Sequence, residues 1–266
     1  MSSCIQFSIA KFDFEMKIVE EELFSEVYEF LENFIVPELE KTSCYHWELK
    51  LNPNLKYTHK HIVDDNCTLI SEKWFARIDF KNHTIQSEIS EIHSGYIYAL
   101  ICGVYFKIFK NFPTYLWCHA CGVVKDNRGY IFTGVSGAGK TTIANRAKQY
   151  EVLSDETIIL MIESSGITIY GTPFSSDDSL NKGLNKFEKL SSIFIISHGE
   201  KSEIKRISAG QAFSEIMKTN VTNQVSDFFF ERAGELWSKV LTHIPCYKFK
   251  INIQDNIWEV IDNENI

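Results

Sequence analysis

The octapeptide Gly134-Val135-Ser136-Gly137-Ala138-Gly139-Lys140-Thr141 constrains this chain more than any other stretch. Its spacing, G-x-x-x-x-G-K-[ST], is that of a phosphate-binding loop, which works at the end of a strand and the start of a helix. The flanks fit that setting. Residues 129–133 are a short apolar run preceded by the turn signal Asp126-Asn127-Arg128-Gly129, as a strand requires. Residues 141–150 have helix-forming composition, with Ile143, Ala147 and Tyr150 at helical spacing.

In such a loop glycines let consecutive backbone N–H groups turn toward one anion, the lysine reaches the outer phosphates and the hydroxyl holds Mg²⁺. Gly134, Val135, Ser136, Gly137, Ala138, Gly139, Lys140, Thr141 and Thr142 are therefore the candidate nucleotide-binding residues. ATP and Mg²⁺ are the expected cofactors.

A second acidic element follows at once. Residues 151–162 are apolar and β-branched around the island Asp155-Glu156, which reads as a buried strand interrupted where it meets a ligand. Two adjacent carboxylates in such a stretch are costly without a cation or a protonated partner. One would serve Mg²⁺ and the other would accept a proton from an attacking hydroxyl. The plainer reading is an exposed corner between helix and strand.

The short interval from Lys140 to Asp155 resembles the HPr kinase/phosphorylase and ATP-dependent phosphoenolpyruvate carboxykinase superfamily, where an aspartate pair closely follows the phosphate loop. Three further segments are similar to the kinase branch. Cys118-His119-Ala120-Cys121-Gly122-Val123-Val124 resembles the histidine-bearing strand before the loop; Gly171-Thr172-Pro173-Phe174 resembles the G-T-P-[FW] turn of small HPr-kinase homologues such as the lasso-peptide serine kinases; residues 189–206 resemble their following strand. The resemblance covers about residues 115–215.

The resemblance implies a fold and an activity. Lys140 and Thr141 match the phosphate and metal groups, Asp155 matches the first aspartate and acts as general base, and His119 matches the histidine near the phosphoacceptor. Lys140, Asp155 and His119 are thus the candidate catalytic residues, and Thr141, Asp155 and Glu156 the candidate metal ligands. Glu156 stands where the family more often has a second aspartate. A lone histidine on an apolar strand is otherwise often a satisfied core residue. The expected reaction moves the γ-phosphoryl group of ATP to a hydroxyl, most simply a serine of a peptide or small protein. The C-terminal lysine and proline signature of true HPr kinases is not recognisable, which counts against HPr itself as acceptor. The alternatives are a kinase for free serine or another small hydroxy compound, and a catalytically silent nucleotide-binding regulatory module. A carboxykinase acting on oxaloacetate is disfavoured for want of an arginine-rich substrate motif.

Charge narrows the partners. A formal net charge of -8 over 266 residues leaves no basic stripe for a phosphate backbone, so nucleic acid is excluded as an expected target. Seven cysteines without a paired framework fit a reducing cytoplasm. Cys118 and Cys121 form C-x-x-C, but residues three apart on a strand face opposite sides and share no metal without a bend. The apolar stretch 97–109 is too short to span a bilayer and is broken by Lys107, and no signal peptide opens the chain. No membrane partner is expected; homo-oligomerisation is left open.

Elsewhere, residues 4–18 read as a strand or hairpin and 20–39 as a helix with the stripe Leu23, Val27, Phe30, Leu31, Phe34. Short strands fill 45–90, a helix covers about 94–110, strands over 157–172 form a hairpin turning at Ser164-Ser165-Gly166, and helices cover 208–220 and 225–241. Residues 247–253 alternate as a strand. Residues 174–183 read equally as a lid or acceptor loop and as a plain surface connection. His59, His61, Asp64 and Asp65 read better as a polar loop than as metal ligands. The expected fold class is α/β with a mixed sheet: a P-loop-containing core of HPr kinase C-terminal or carboxykinase type over residues 113–266, with an α+β region over 1–112 packed on it.

Overall fold

The computed structural model describes residues 3–39, 44–56, 62–63, 68–176, 182–220, 227–264 and 266; His59, His61, Asp64, Asp65 and residues 177–181 of the 174–183 loop lie outside the described residues. The chain divides into two compact units, Met1–Pro113 and Thr114–Ile266.

The first unit holds β1 (Ser3–Ile9), β2 (Phe12–Ile18), α1 (Glu21–Leu31), β3 (Tyr45–Leu51), β4 (Ile62–Val63), β5 (Thr68–Ile70), β6 (Trp74–Asp79), β7 (Thr84–Ile89) and α2 (Ser94–Phe109). Its mixed sheet runs β1-β2-β3-β7-β6-β5-β4. Ala10 and Lys11, both at positive φ, close the β1–β2 hairpin in the left-handed geometry that two-residue turns favour. Alternation then sends Phe7, Phe14, Met16, Trp47 and Leu49 inward. Two polar groups of that core are answered: Trp47 Nε1 donates to Ser87 Oγ at 2.6 Å and Tyr105 Oη to the Ile9 carbonyl at 2.8 Å. The helix expected over 20–39 ends earlier, passing at Leu31 into a 3-10 turn, Glu32–Phe34. Pro37 lies just beyond, and a bridge between Ile35 and Phe7 pulls the chain back to the sheet.

The second unit holds β8 (Tyr115–His119), β9 (Cys121–Lys125), β10 (Arg128–Thr133), α3 (Lys140–Arg146), β11 (Glu151–Ser154), β12 (Thr157–Glu163), β13 (Gly166–Tyr170), β14 (Phe187–His198), β15 (Glu203–Ile207), α4 (Ala209–Asn220), α5 (Asp227–His243), β16 (Cys246–Ile251) and α6 (Ile257–Asn263). The sheet order is β11-β9-β10-β14-β13-β12-β8, with β16 on β14 and β15 on β16. It is mixed: β10, β14 and β16 are mutually parallel neighbours, while β9–β10 and β12–β13 are antiparallel hairpins.

Both faces of this sheet are covered. Ile131 and Ile193 pack with Ala212 and Ile216 of α4 and Leu236, Trp237 and Val240 of α5. Tyr130, Phe132 and Phe194 pack on the other face with Ile143 and Ala144 of α3 and Ile257, Trp258 and Ile261 of α6. The alternation Tyr130-Ile131-Phe132 thus feeds both layers, as a doubly covered strand must. The helix expected to reach Tyr150 stops at Arg146. A turn from Tyr150 N to the Ala147 carbonyl carries the Tyr150 ring onto Trp258, centroids 4.7 Å apart, where the ring gains more burial than on an exposed helix end. Among the described residues no helix is long and apolar enough to cross a membrane.

Candidate phosphate site and its acidic corner

Strands β8, β10, β11, β12 and β14 supply the candidate site. The hairpin turn Asp126-Asn127, both at positive φ, sets the register of β9 on β10, and β10 delivers Thr133 into the glycine loop. The loop then follows the shape its sequence requires. Gly137 and Gly139 have φ of 77° and 106°, where an L side chain is strained, and a Cβ on Gly134 would meet the Ile196 carbonyl at 2.8 Å. Val135, Ser136 and Gly137 form an exposed rim, Ala138 is buried beneath it, and Thr141 and Thr142 sit half-buried on the first turn of α3.

Lys140 is only 7% exposed, and its Nζ donates to the Gly134 carbonyl at 3.3 Å, across the loop it closes. Burial pulls its pKa below the ordinary lysine value, and the negative charge of Glu156 is the largest influence opposing that. A buried ammonium held by one carbonyl is under-solvated, and an anion in the loop would supply what it lacks.

The acidic pair lies on the corner between β11 and β12, so the strand is interrupted at the residues expected to interrupt it. The two carboxylates part company there. Asp155 is fully buried and accepts twice from Ser176: from its N–H at 3.1 Å on Oδ1 and from its Oγ at 2.5 Å on Oδ2. Ser176 Oγ also lies 3.1 Å from Thr141 Oγ1. One hydroxyl therefore spans the aspartate and the threonine of the loop. Glu156 turns instead to His119, which stands opposite Thr157 where β8 pairs with β12. Nδ1 of His119 is 3.1 Å from Oε1 of Glu156, the two side chains 29% and 32% exposed. The histidine is thus at the site's edge, neither in the core nor free in solvent.

The His119 hydrogen bond holds the Glu156 carboxyl below the ordinary glutamate value of 4.5; burial opposes this, and the charges of His119 and Lys140 assist it. A carboxyl depressed in the folded state contributes stability above its unfolded value, and that contribution disappears as pH falls through the folded value. Thermal melts of Glu156→Gln and the parent protein are therefore expected to differ at neutral pH and to converge below pH 4.5. A difference that persists in acid would assign the effect to packing.

The corner is fixed from behind. Ser154 Oγ donates to the Phe174 carbonyl at 2.7 Å and accepts from the N–H groups of Glu156 and Thr157. Thr172 Oγ1 donates to the Thr157 carbonyl at 2.5 Å, and buried Phe174 lies against Trp117 at 5.4 Å. The Gly171-Thr172-Pro173-Phe174 turn is thus a buttress for Asp155. It admits no side chain at its head: a Cβ on Gly171 would come within 1.9 Å of the Leu184 carbonyl. Gly171→Ala should destabilise the protein by at least the ~1–3 kcal/mol typical of overpacking, read as a lowered denaturation midpoint.

Two residues that the sequence reading did not single out join the site. Ser176 is one; it fell within residues 174–183, read equally as a lid or acceptor loop and as a plain surface connection. His198, at the end of β14, is the other: its Nε2 is 2.8 Å from the Gly137 carbonyl, and its ring lies over Gly139. The parallel pairing of β14 with β10 puts His198 there, and nothing local in the sequence points to it. Cys118 and Cys121 are buried on opposite faces of the sheet, each thiol pushed well above its ordinary pKa by burial. Among the described residues no group of three or more His, Cys, Asp or Glu is placed to hold a metal.

The ScmC family, described as SynChlorMet cassette protein ScmC, matches residues 96–265, well over half of the chain and the whole of the site. The chain belongs to this family. No curated protein matches it. A solved structure of the Hpr(Ser) kinase/phosphatase from Coxiella burnetii is similar with a TM-score of 0.36 and 13% identity, over 56% of this chain and 96% of that one.

Proposed function

We propose that this ScmC protein is an ATP-dependent phosphotransferase that moves a γ-phosphoryl group to an alcohol, with a serine of a peptide or small protein as acceptor. One observation carries the reading. Asp155, fully buried, reaches Thr141 of the glycine loop through a single serine hydroxyl. A carboxylate bonded to an alcohol beside a phosphate loop is what transfer to a hydroxyl needs, since such reactions rest on positioning and charge neutralisation more than on covalent help.

The donors at the corner are hard oxygens: the Thr141 hydroxyl, the Asp155 carboxylate and the Ser176 hydroxyl. They suit Mg²⁺, which keeps several waters and leans on substrate phosphates. Thr141 and Asp155 would hold it, and when bound it would supply charge neutralisation on the phosphates. The remaining work falls to the chain. The loop from Gly134 to Thr142 cradles the phosphates, and Lys140 exchanges the Gly134 carbonyl for a phosphate oxygen. Asp155 accepts the acceptor's proton, and Glu156 fixes the ring of His119 beside the acceptor path. This assigns Glu156 to orienting His119 rather than to the metal.

Incubating the full chain with Mg²⁺, ATP and a panel of serine peptides, free serine and small hydroxy compounds tests the proposal. ADP formation matched by one phosphoryl group on an acceptor is the expected result. Nucleotide binding without turnover across the panel would favour a regulatory module, a reading kept in view by the engagement of Glu156 with His119.

A further inference from the structure

Ser176 is held between a buried carboxylate and the phosphate loop. Its Oγ is 2.5 Å from Oδ2 of the carboxylate read above as the base, and 3.1 Å from the hydroxyl of Thr141 in the phosphate loop. Its backbone N–H fixes the other oxygen of the same carboxylate at 3.1 Å. The position is anchored. Two residues earlier, Phe174 is buried against Trp117 and its carbonyl is held by Ser154, so the chain enters Ser176 from a rigid turn. An alcohol fixed between a base and a phosphate cradle has paid its positioning entropy before any substrate arrives, and well-oriented intramolecular reactants gain most from that.

We propose that Ser176 is itself phosphorylated in cis, making this chain an autokinase at the edge of its own site. The step balances. Asp155 Oδ2 takes the Ser176 hydroxyl proton, and Oγ bonds to the γ-phosphorus of ATP. The bond from that phosphorus to the β,γ-bridging oxygen breaks, and its electron pair leaves with ADP. A phosphoserine at this position would carry about -1.5 to -2 of charge, set next to Asp155, and the two contacts that Ser176 makes with that carboxylate would be weakened by repulsion. The inference rests on the phosphotransferase reading, and its test separates the two.

The full chain is incubated with Mg²⁺ and ATP without acceptor and followed by intact mass, while binding of a fluorescent ATP analogue is measured on the same preparation. One phosphoryl group per chain is expected, mapped by fragmentation to Ser176. Its rate per molecule should not change on dilution. Ser176→Ala should abolish the label, Asp155→Asn should slow its appearance by about 10²–10⁴-fold, Ser176→Thr should keep part of it, and Ser175→Ala should keep it all. Three outcomes overturn the inference alone: bound nucleotide with no covalent phosphate, phosphate mapped to Thr141 or another residue, or a rate that falls with dilution. Failure to bind nucleotide at all overturns the site reading beneath it, and this inference with it.

Discussion

Lys140→Met is expected to weaken ATP binding roughly ten- to hundredfold, the equivalent of the ~1.5–3 kcal/mol of a hydrogen bond to a charged group, while leaving the nucleotide-free protein at least as stable. The two signs follow from one environment. The ammonium is buried, its pKa is lowered by that burial despite the opposing charge of Glu156, and among the described residues it donates to one backbone carbonyl, so an anion in the loop would compensate it further. Methionine fills similar volume without the desolvation cost. In an ATP complex the same ammonium meets phosphate oxygens and its loss is felt in full. Titration with a fluorescent nucleotide and thermal melts of the free protein read the two effects. Unchanged affinity would remove Lys140 from the nucleotide site; a large drop in free-protein stability would make it a structural residue.

Asp155→Asn should lower phosphoryl transfer by about 10²–10⁴-fold, the usual worth of a positioned general base, with much less effect on nucleotide affinity. The amide keeps the shape and one acceptor oxygen for the Ser176 N–H, but it takes no proton. Asp155→Ala differs: it strips the partner from both donors of Ser176 and leaves a hole where the side chain was wholly buried. Comparing the two in single-turnover transfer and in denaturant melts separates chemistry from support. If Asn transfers at the parent rate, Asp155 is a strut and another group takes the proton.

Much of the second unit's local structure was legible because it depends on near neighbours. Strand, glycine loop and helix follow one another over residues 128–146, fixed by the turn at Asp126-Asn127, the alternation of Tyr130, Ile131 and Phe132, and glycines where φ is positive. The hairpin at residues 164–166 was legible for the same reason. Legibility failed where burial outranked propensity. The helix after Lys140 has helix-forming residues up to Tyr150, yet Tyr150 is worth more against Trp258 than as a further turn. Helix α1 similarly gives up its last predicted turns so that Phe34 enters the core and Ile35 meets Phe7.

The sequence by itself determined the parts: a loop able to hold an anion, a lysine and a threonine at set places in it, and two acids one short strand away. Their partners were decided by tertiary structure alone. Asp155 finds Ser176 across 21 residues, Thr141 finds Ser176 across 35, and His198 reaches Gly137 across 61. On this corner the adjacent carboxylates part, Asp155 fully buried and Glu156 half-buried against His119. Which went where depended on the buttress at residues 171–174 behind Asp155 and on the pairing of β8 with β12, which put His119 within reach of Glu156. Side-chain chemistry is local, but burial and strand order are properties of the whole sheet.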